Sequence, residues 1–291
     1  MSRTSAEAAA LIRDLQLAVA THPHDADKRG ELGLALEANG MPKAAVQTYL
    51  QAESLAKNDP RWSYLAAVTS AQLGDVDAAI DALERSLALE PSYVSAHLYR
   101  GAWLLDLGRA EQAQDAYEQA TRLEPENTDA WYGRVRVLLQ RNEGAKALAI
   151  LQRLAVRREG EPYLRQLLGL AYRQTGDLER AREELAAGRG ERPPRWPDPR
   201  RQRLSDYARG YAAEKRRGDA FVQARRWQDA VNTLQPLRDR NPTDPDLLTN
   251  LSLAYRNLGR VDESIRLLET GLEHHPDHVH MRVNLGVGYE Q

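Results

Sequence analysis

Apolar residues recur along this chain at the three- and four-residue spacing of amphipathic helices. Ala79, Ile80, Leu83 and Leu87 form one such set, and polar residues occupy most positions between them. The segments are bounded by glycines in short polar stretches or by prolines. Glycine takes the left-handed conformation that terminates a helix, and proline suits the first turn of the next one. The pattern predicts a succession of short helices joined by tight turns.

The pattern repeats with a period of 34 residues. Pro91 and Pro125 are 34 residues apart, and Ala79, Ala113 and Ala147 keep the same spacing. A fixed period of this length indicates a repeat protein, in which each helix pair buries its apolar face against its neighbours.

Composition agrees with an all-helical protein. Alanine and leucine far outnumber valine, isoleucine and phenylalanine, so little of the chain suits a β-sheet. The absence of cysteine excludes disulfides, thiolate nucleophiles and cysteine-ligated metals. The formal net charge is −2, but residues 189–226 carry 12 basic and 5 acidic side chains, a local net charge of +7.

The residues that keep this period resemble the signature of the tetratricopeptide repeat. Repeat three shows the pattern most fully, with Gly101, Gly108, Ala113 and Tyr117 at signature positions. The resemblance covers nearly the whole chain and implies about seven helix–turn–helix units with a half repeat at each end. It implies an all-α fold, a right-handed α-solenoid of about 16 helices. In this family the first helix of each unit lines a concave face.

The 34-residue frame breaks once, in a stretch rich in proline and arginine at residues 189–206. Four prolines there prevent a regular helix, and repeat six begins about 15 residues late. We predict a repeat array over residues 1–188, this insertion over 189–206, and a second array over 207–291. The first helix of repeat six is predicted to begin near Leu204.

The insertion contains candidate contacts for a partner. Trp196 is predicted to be at least half buried against repeats five and six, since a large apolar side chain is seldom left in water. The arginines beside it are expected to form an exposed basic rim. The candidate residues of the insertion are Arg195, Trp196, Arg200 and Arg201.

The concave groove is the second candidate surface. Tyrosine and arginine are enriched at binding hot spots, and both occur at the groove-lining positions that the family resemblance implies. These groove residues are Tyr64, Tyr132, Arg136, Tyr163 and Arg173. Asn250 and Asn284 occupy the position at which the superhelix of the O-linked N-acetylglucosamine transferase carries asparagines that grip peptide backbone. Heat-shock co-chaperones of this family bind acidic chaperone tails through a carboxylate clamp of lysine, asparagine and arginine side chains at set repeat positions. Repeats one to three lack these residues, so an acidic chaperone tail is not the expected ligand.

These features predict a non-enzymatic scaffold that binds a protein or extended peptide in the concave groove, without a cofactor. The sequence has neither a phosphate-cradling glycine loop nor a nucleophile elbow. One alternative is an assembly or regulatory subunit of an enzyme complex that docks through the basic region 189–226. We do not expect nucleic acid binding, because the sequence pI of about 6.4 is far from basic.

A further alternative is a metal-handling protein. The stretch near the C-terminus holds His274, His275, His278, His280 and Met281, side chains that bind copper or zinc. The same residues straddle a predicted turn between repeats, where polar side chains are solvated. We therefore predict a protein without a metal site.

Near the N-terminus, Arg13 and Asp14 interrupt an apolar stretch. They predict an amphipathic helix in place of a signal peptide. No apolar run approaches the length of about 18 residues that suggests a transmembrane helix. We therefore predict a cytoplasmic protein, or a periplasmic one if a leader has been removed, with no membrane insertion.

Overall fold

A computed structural model describes residues 5–156, 160–189 and 196–290. Within these ranges every regular element is an α-helix, which confirms the predicted fold class. The helices are α1 Ala6–Thr21, α2 Ala26–Ala38, α3 Pro42–Leu55, α4 Pro60–Gln72, α5 Val76–Leu89, α6 Val94–Asp106, α7 Ala110–Leu123, α8 Thr128–Gln140, α9 Gly144–Ala155, α10 Pro162–Thr175, α11 Leu178–Ala187, α12 Pro199–Gln202, α13 Leu204–Tyr207, α14 Tyr211–Gln223, α15 Trp227–Arg240, α16 Pro245–Asn257, α17 Val261–His274 and α18 Val279–Tyr289.

The helices follow the predicted repeats. Helices α2 to α11 supply the five pairs of repeats one to five, and α14 to α17 supply the pairs of repeats six and seven. Helices α1 and α18 are the two half repeats, and the one-turn helices α12 and α13 lie in or beside the insertion. Among the helices of the described ranges, none is both long and apolar enough to cross a membrane.

Glycines terminate the first helices as predicted. Gly74, Gly108, Gly176 and Gly259 all have φ between 74° and 88°. A Cβ at any of them would meet no atom within 4 Å, so these glycines serve the backbone and not the packing. Each therefore reverses the chain between the two helices of a repeat.

Two repeats make the same turn without glycine. Asn142 and Arg225 occupy the equivalent positions, with φ of 59° and 56°. Left-handed backbone costs most residues about 1–2 kcal/mol, and asparagine tolerates it better than arginine.

Arg225→Gly is therefore expected to raise the free energy of unfolding by about 0.5–1 kcal/mol. Asn142→Gly should give a smaller gain in the same urea titration, because asparagine already suits the turn. A loss of stability in Arg225→Gly would show that the exposed Arg225 side chain itself holds the turn.

The chain divides into two compact units, which share helix α2. Unit 1 comprises Met1–Thr21, Leu34–Met41 and Arg203–Gln291, and unit 2 comprises His22–Gly33 and Pro42–Gln202. In unit 2, buried side chains of consecutive helix pairs form the core, and Tyr117 and Leu151 are among the largest of them. Small residues let these helices approach closely, as expected for a solenoid.

In unit 1 the core lies between α14, α15, α16, α17 and α18. Residues from the start of the chain add polar contacts: Glu7 pairs with Arg240 at 3.4 Å. The Asn39 amide nitrogen donates to the Tyr207 carbonyl oxygen at 2.9 Å, and its oxygen accepts from the Arg209 backbone nitrogen at 3.0 Å. Asn39 thus fixes the backbone just before repeat six.

The predicted start of the first helix of repeat six was wrong. Leu204 begins the separate one-turn helix α13, and the repeat helix α14 begins at Tyr211. Ala208 has an extended ψ of 131°, and Gly210 has φ of 92°, so the backbone leaves the helical conformation between the two helices. Gly210 also lies against Ser5, where a Cβ would come within 3.1 Å of the Ser5 side chain.

Candidate functional site

An open groove lies between the first helices α6, α8 and α10 of unit 2. It has a volume of about 420 Å³. The residues that line it are Leu105, Asp106, Arg136, Leu139, Gln140, Tyr163, Gln166, Leu167 and Leu170. Two predicted groove residues, Arg136 and Tyr163, therefore lie together on this surface.

The polar groups of the open groove can bind both charge and amide groups. Arg136 Nη2 lies 3.3 Å from Asp106 Oδ1, and the Asp106 side chain is mostly exposed. Gln166 Oε1 is buried and has no hydrogen-bond partner within the described part of the chain. A rotation of the Gln166 side chain toward the groove would let this oxygen accept a hydrogen bond from a bound backbone N–H, while Arg136 can bind a carboxylate or carbonyl oxygen.

Two tyrosines support the floor of the open groove. The rings of Tyr132 and Tyr163 meet edge to face, with centroids 5.3 Å apart. Both side chains are buried, and burial raises the pKa of the Tyr163 hydroxyl. Tyr132 therefore acts mainly as packing beneath Tyr163, although the sequence placed both on the binding surface.

The remaining predicted groove residues do not join this site. Arg173 is exposed near the end of α10. Asn250, in unit 1, donates its amide to Asp219 Oδ1 at 2.8 Å, and Asn284 is half-buried on α18. The Asn250 amide is thus already engaged by a neighbouring side chain.

The first helices of the repeats in unit 2 form a common surface, here called the first-helix face. A second feature of this face is a set of three tyrosines, Tyr64, Tyr93 and Tyr99, here called the tyrosine cradle. Residues 196–202, here called the docked segment, contact it. Tyr64 donates its hydroxyl to Asp198 Oδ2 at 2.7 Å, and Tyr93 donates to Asp198 Oδ1 at 3.1 Å. Asp198 is 7% exposed and Tyr64 is fully buried. The predicted groove residue Tyr64 therefore already has a ligand, which belongs to the same chain.

Trp196 is largely buried, as predicted, but its predicted location was wrong. Its ring lies edge-on to Tyr99 with centroids 5.0 Å apart, and it packs against the core of repeats two to four. The prediction placed it on repeats five and six, which are its neighbours along the chain. The aromatic surface of α6 offers a better apolar contact for the indole ring.

The predicted basic rim was wrong for Arg200. Its side chain is only 14% exposed and pairs with Glu90. Its guanidinium lies 3.8 Å from the centroid of the Tyr93 ring, a cation–π contact. Arg201 is half-buried, and Arg195 lies outside the described residues.

Other arginines of the basic region also bind the chain itself. Arg209 Nη1 donates to the Asp206 carbonyl oxygen at 2.6 Å, and Arg217 Nη2 donates to the Ser205 carbonyl oxygen at 3.0 Å. Arg226 pairs with Asp229 at 2.8 Å. These contacts favour a structural role for the basic side chains involved.

The tyrosine cradle makes the free energy of unfolding decrease at alkaline pH. Burial, with the Asp198 carboxylate as the next cause, raises the pKa of Tyr64 and raises the pKa of Tyr99 to about 12. An unfolded tyrosine titrates near pH 10, so above that pH only the unfolded state loses these protons. The stabilisation is therefore complete below about pH 10 and is lost as the pH rises through about 12.

We expect the urea midpoint to fall above about pH 10, and to fall less steeply in Tyr99→Phe. The urea midpoint of this variant still falls with pH, because the other buried tyrosines keep their raised pKa values. Identical slopes for wild type and Tyr99→Phe would contradict the raised pKa of Tyr99.

A larger cleft of about 510 Å³ lies elsewhere in unit 2, beside Trp131, Ile150 and Leu154. Trp131 donates its indole nitrogen to the Pro125 carbonyl oxygen at 2.7 Å, and Arg134 lies over its ring. These contacts fix Trp131 in place. The cleft holds no unpartnered polar group that matches the one in the open groove, among the residues that the structure describes.

The C-terminal histidines make structural contacts. His275 Nε2 lies 2.6 Å from the Thr243 carbonyl oxygen, and His278 Nδ1 accepts from the Met281 backbone nitrogen at the start of α18. Nowhere in residues 5–156, 160–189 and 196–290 do three or more histidine, cysteine, aspartate or glutamate side chains gather as metal ligands would.

The helix pairs, glycine turns and small contact residues define a helical-repeat protein. Models of one repeat family, the tetratricopeptide repeat, match residues 64–110, 104–170, 163–187 and 221–282. The chain belongs to the tetratricopeptide repeat family. Repeats of this family are typically protein-interaction scaffolds and not enzymes.

Solved structures show the same fold. A tetratricopeptide repeat protein from Parabacteroides merdae aligns with a TM-score of 0.54 at 15% identity, over 84% of this chain and 90% of its own. MamA from Desulfovibrio magneticus RS-1 aligns with a TM-score of 0.52 at 22% identity, over 56% of this chain and 92% of its own. No curated protein matches the sequence.

Proposed function

We propose that this protein is a non-enzymatic scaffold that binds an extended segment of a partner protein in the open groove. The observation that carries the proposal is the docked segment. It lies on α4 and α6, and α6 also forms one wall of the open groove. The first helices of unit 2 thus accept a non-repeat segment at α4 and α6 and form an open groove at α6, α8 and α10.

The composition of the open groove suits a peptide with a carbonyl or carboxylate near Arg136 and a backbone N–H near Gln166. Leu105, Leu139 and Leu170 supply apolar contacts between these groups. Binding would give Gln166 Oε1 a hydrogen-bond donor once its side chain rotates toward the ligand, and unsatisfied buried acceptors are costly. The ligand is therefore expected to lie across α8 and α10 in an extended conformation.

Affinity purification from the source cell, followed by mass spectrometry, tests the proposal. The double variant Arg136→Ala/Gln166→Ala removes both polar groups of the groove, and Arg122→Ala, an exposed arginine on the second helix α7, is the matched control. We expect one set of proteins to be retained by wild type and by Arg122→Ala, and lost from the double variant.

Direct titration of the identified partner should then show at least a tenfold weaker affinity for the double variant. Equal affinity for wild type and the double variant would place the binding surface elsewhere. The circular dichroism of the double variant must match that of wild type, so that a loss of binding reports on the groove.

A further inference from the structure

The docked segment contacts the tyrosine cradle through three side chains at regular spacing. Trp196, Asp198 and Arg200 are each two residues apart, and each makes a different kind of contact. Trp196 packs edge-on to Tyr99, Asp198 accepts two tyrosine hydroxyls, and Arg200 stacks on Tyr93. Three side chains of one short segment thus contact three different groups of the cradle, as the side chains of a bound peptide ligand do.

We propose that the tyrosine cradle is a second peptide-recognition site, and that its ligand is a partner segment with an aromatic residue, an aspartate and an arginine at two-residue intervals, which forms one helical turn after the aspartate. Residues 196–202 carry this motif and hold the site closed until a partner segment of the same chemistry displaces them. The proposal concerns different residues from those of the open groove and stands independently of its function.

The chemistry of the cradle selects each of the three residue types. Neutral tyrosine hydroxyls donate hydrogen bonds, and an ionised carboxylate is the strongest acceptor for them. Glu90 and the two rings of Tyr64 and Tyr93 surround the Arg200 guanidinium with one negative charge and two aromatic faces. Lysine would lose the planar stacking, so arginine is the cation that fits.

The docked segment is suited to reversible binding. Only one helical turn, α12, forms within it, and its prolines reduce the entropy lost on docking. Two of its buried donors, Trp196 Nε1 and Arg200 Nη1, have no hydrogen-bond partner within the described part of the chain. A buried donor without an acceptor weakens the docked state. A partner segment that brings an acceptor to either position gains an advantage over residues 196–202.

The connection to the rest of the chain favours the internal ligand. A tethered segment has an effective concentration on the order of 1 mM. A separate peptide of the same sequence with an intrinsic Kd of about 10 µM would therefore bind wild type about 100-fold more weakly than it binds an emptied cradle. A physiological partner must overcome this 100-fold loss of apparent affinity by better contacts or by binding a second surface at the same time.

A fluorescent peptide with the sequence of residues 196–202 is the probe that tests the proposal. It is titrated against the wild-type chain and against a full-length variant in which residues 196–202 are replaced by seven glycine and serine residues. We expect the replacement variant to bind the peptide, and wild type to bind it at least tenfold more weakly. A peptide with Asp198→Asn should bind the replacement variant at least tenfold more weakly than the parent peptide.

A second variant covers the case in which the replacement does not fold. Arg200→Ala keeps the segment but removes its contacts with Glu90 and the tyrosine rings, so it should bind the peptide more tightly than wild type. Arg203→Ala, an exposed arginine one residue beyond the segment, is the matched control and should bind as weakly as wild type.

Two results would overturn the proposal. The first is a folded replacement variant, or a folded Arg200→Ala variant, that binds the peptide no better than wild type. The second is equal affinity for the parent and Asp198→Asn peptides, because recognition of the carboxylate by the tyrosine hydroxyls is the central contact.

Discussion

Gly133→Ala is expected to lower the free energy of unfolding by about 2–3 kcal/mol, although it adds one methyl group. A Cβ at residue 133 would lie 2.1 Å from Cε1 of Tyr117. The ring also packs closely against Gly101, where an added Cβ would lie 2.8 Å from Tyr117 Cε2, so it has little room to move aside. Tyr117 is 2% exposed and joins repeat three to repeat four. The variant therefore overpacks the contact between adjacent repeats.

A matched control separates overpacking from helix propensity. Gly286 is also a helical glycine, but a Cβ there would meet no atom within 4 Å. Gly286→Ala should therefore stabilise the protein by about 0.5–1 kcal/mol, the ordinary gain of alanine over glycine in a helix. Urea denaturation of both variants measures the difference.

A double-mutant cycle identifies the clashing partner. Tyr117→Ala alone should cost about 3–5 kcal/mol, because it leaves a cavity in the core. In that background Gly133→Ala should cost nothing or stabilise the helix, which gives a coupling energy of at least about 2 kcal/mol. If the two substitutions are additive, the glycine contacts something other than the Tyr117 ring.

The repeats were predictable because their determinants are local and recur. A turn that needs left-handed backbone selects glycine, and the 34-residue frame fixes where that turn must occur. The turn forms at the expected position even in repeats without glycine there. Asn142 and Arg225 both adopt positive φ at the positions that the period assigns to glycine. The fold therefore did not depend on any single signature residue.

The groove was only partly predictable. Repeat position places Arg136 and Tyr163 on the first-helix face, and the structure brings them together in one groove. Position alone does not reveal burial: it predicts Tyr132 on the binding surface, whereas the side chain is buried and the Tyr163 ring packs against it. Gln166 also lines the groove, but the lack of a partner for its oxygen depends on the surrounding packing and has no sequence signal.

The tyrosine cradle was beyond sequence reasoning, because it depends on a contact between residues 134 positions apart in the chain. Nothing in the sequence singles out Asp198, an aspartate between two prolines. The apolar character of Trp196 correctly indicated burial, but chain proximity indicated the wrong repeats. A contact between an insertion and a distant repeat is decided by which surface offers complementary groups, here tyrosine rings and hydroxyls.

Asp198→Ala is expected to detach the docked segment from the tyrosine cradle. The substitution removes the acceptor of two tyrosine hydroxyls, at 2.7 and 3.1 Å, and leaves both donors without a carboxylate. A hydrogen bond to a charged group contributes about 1.5–3 kcal/mol, so the loss of two should shift the docking equilibrium by at least about 100-fold. The repeats themselves should remain folded, because Asp198 lies outside the helix pairs.

Hydrogen exchange followed by mass spectrometry measures this detachment directly. Backbone amides in a fragment spanning residues 196–202 should exchange at least about 100-fold faster in Asp198→Ala than in wild type, while fragments from α7 and α8 should keep their protection. Asp206→Ala, an exposed aspartate in the next short helix, is the matched control and should leave the exchange unchanged. Unchanged exchange in Asp198→Ala would mean that the Trp196 and Arg200 contacts hold the segment without the carboxylate.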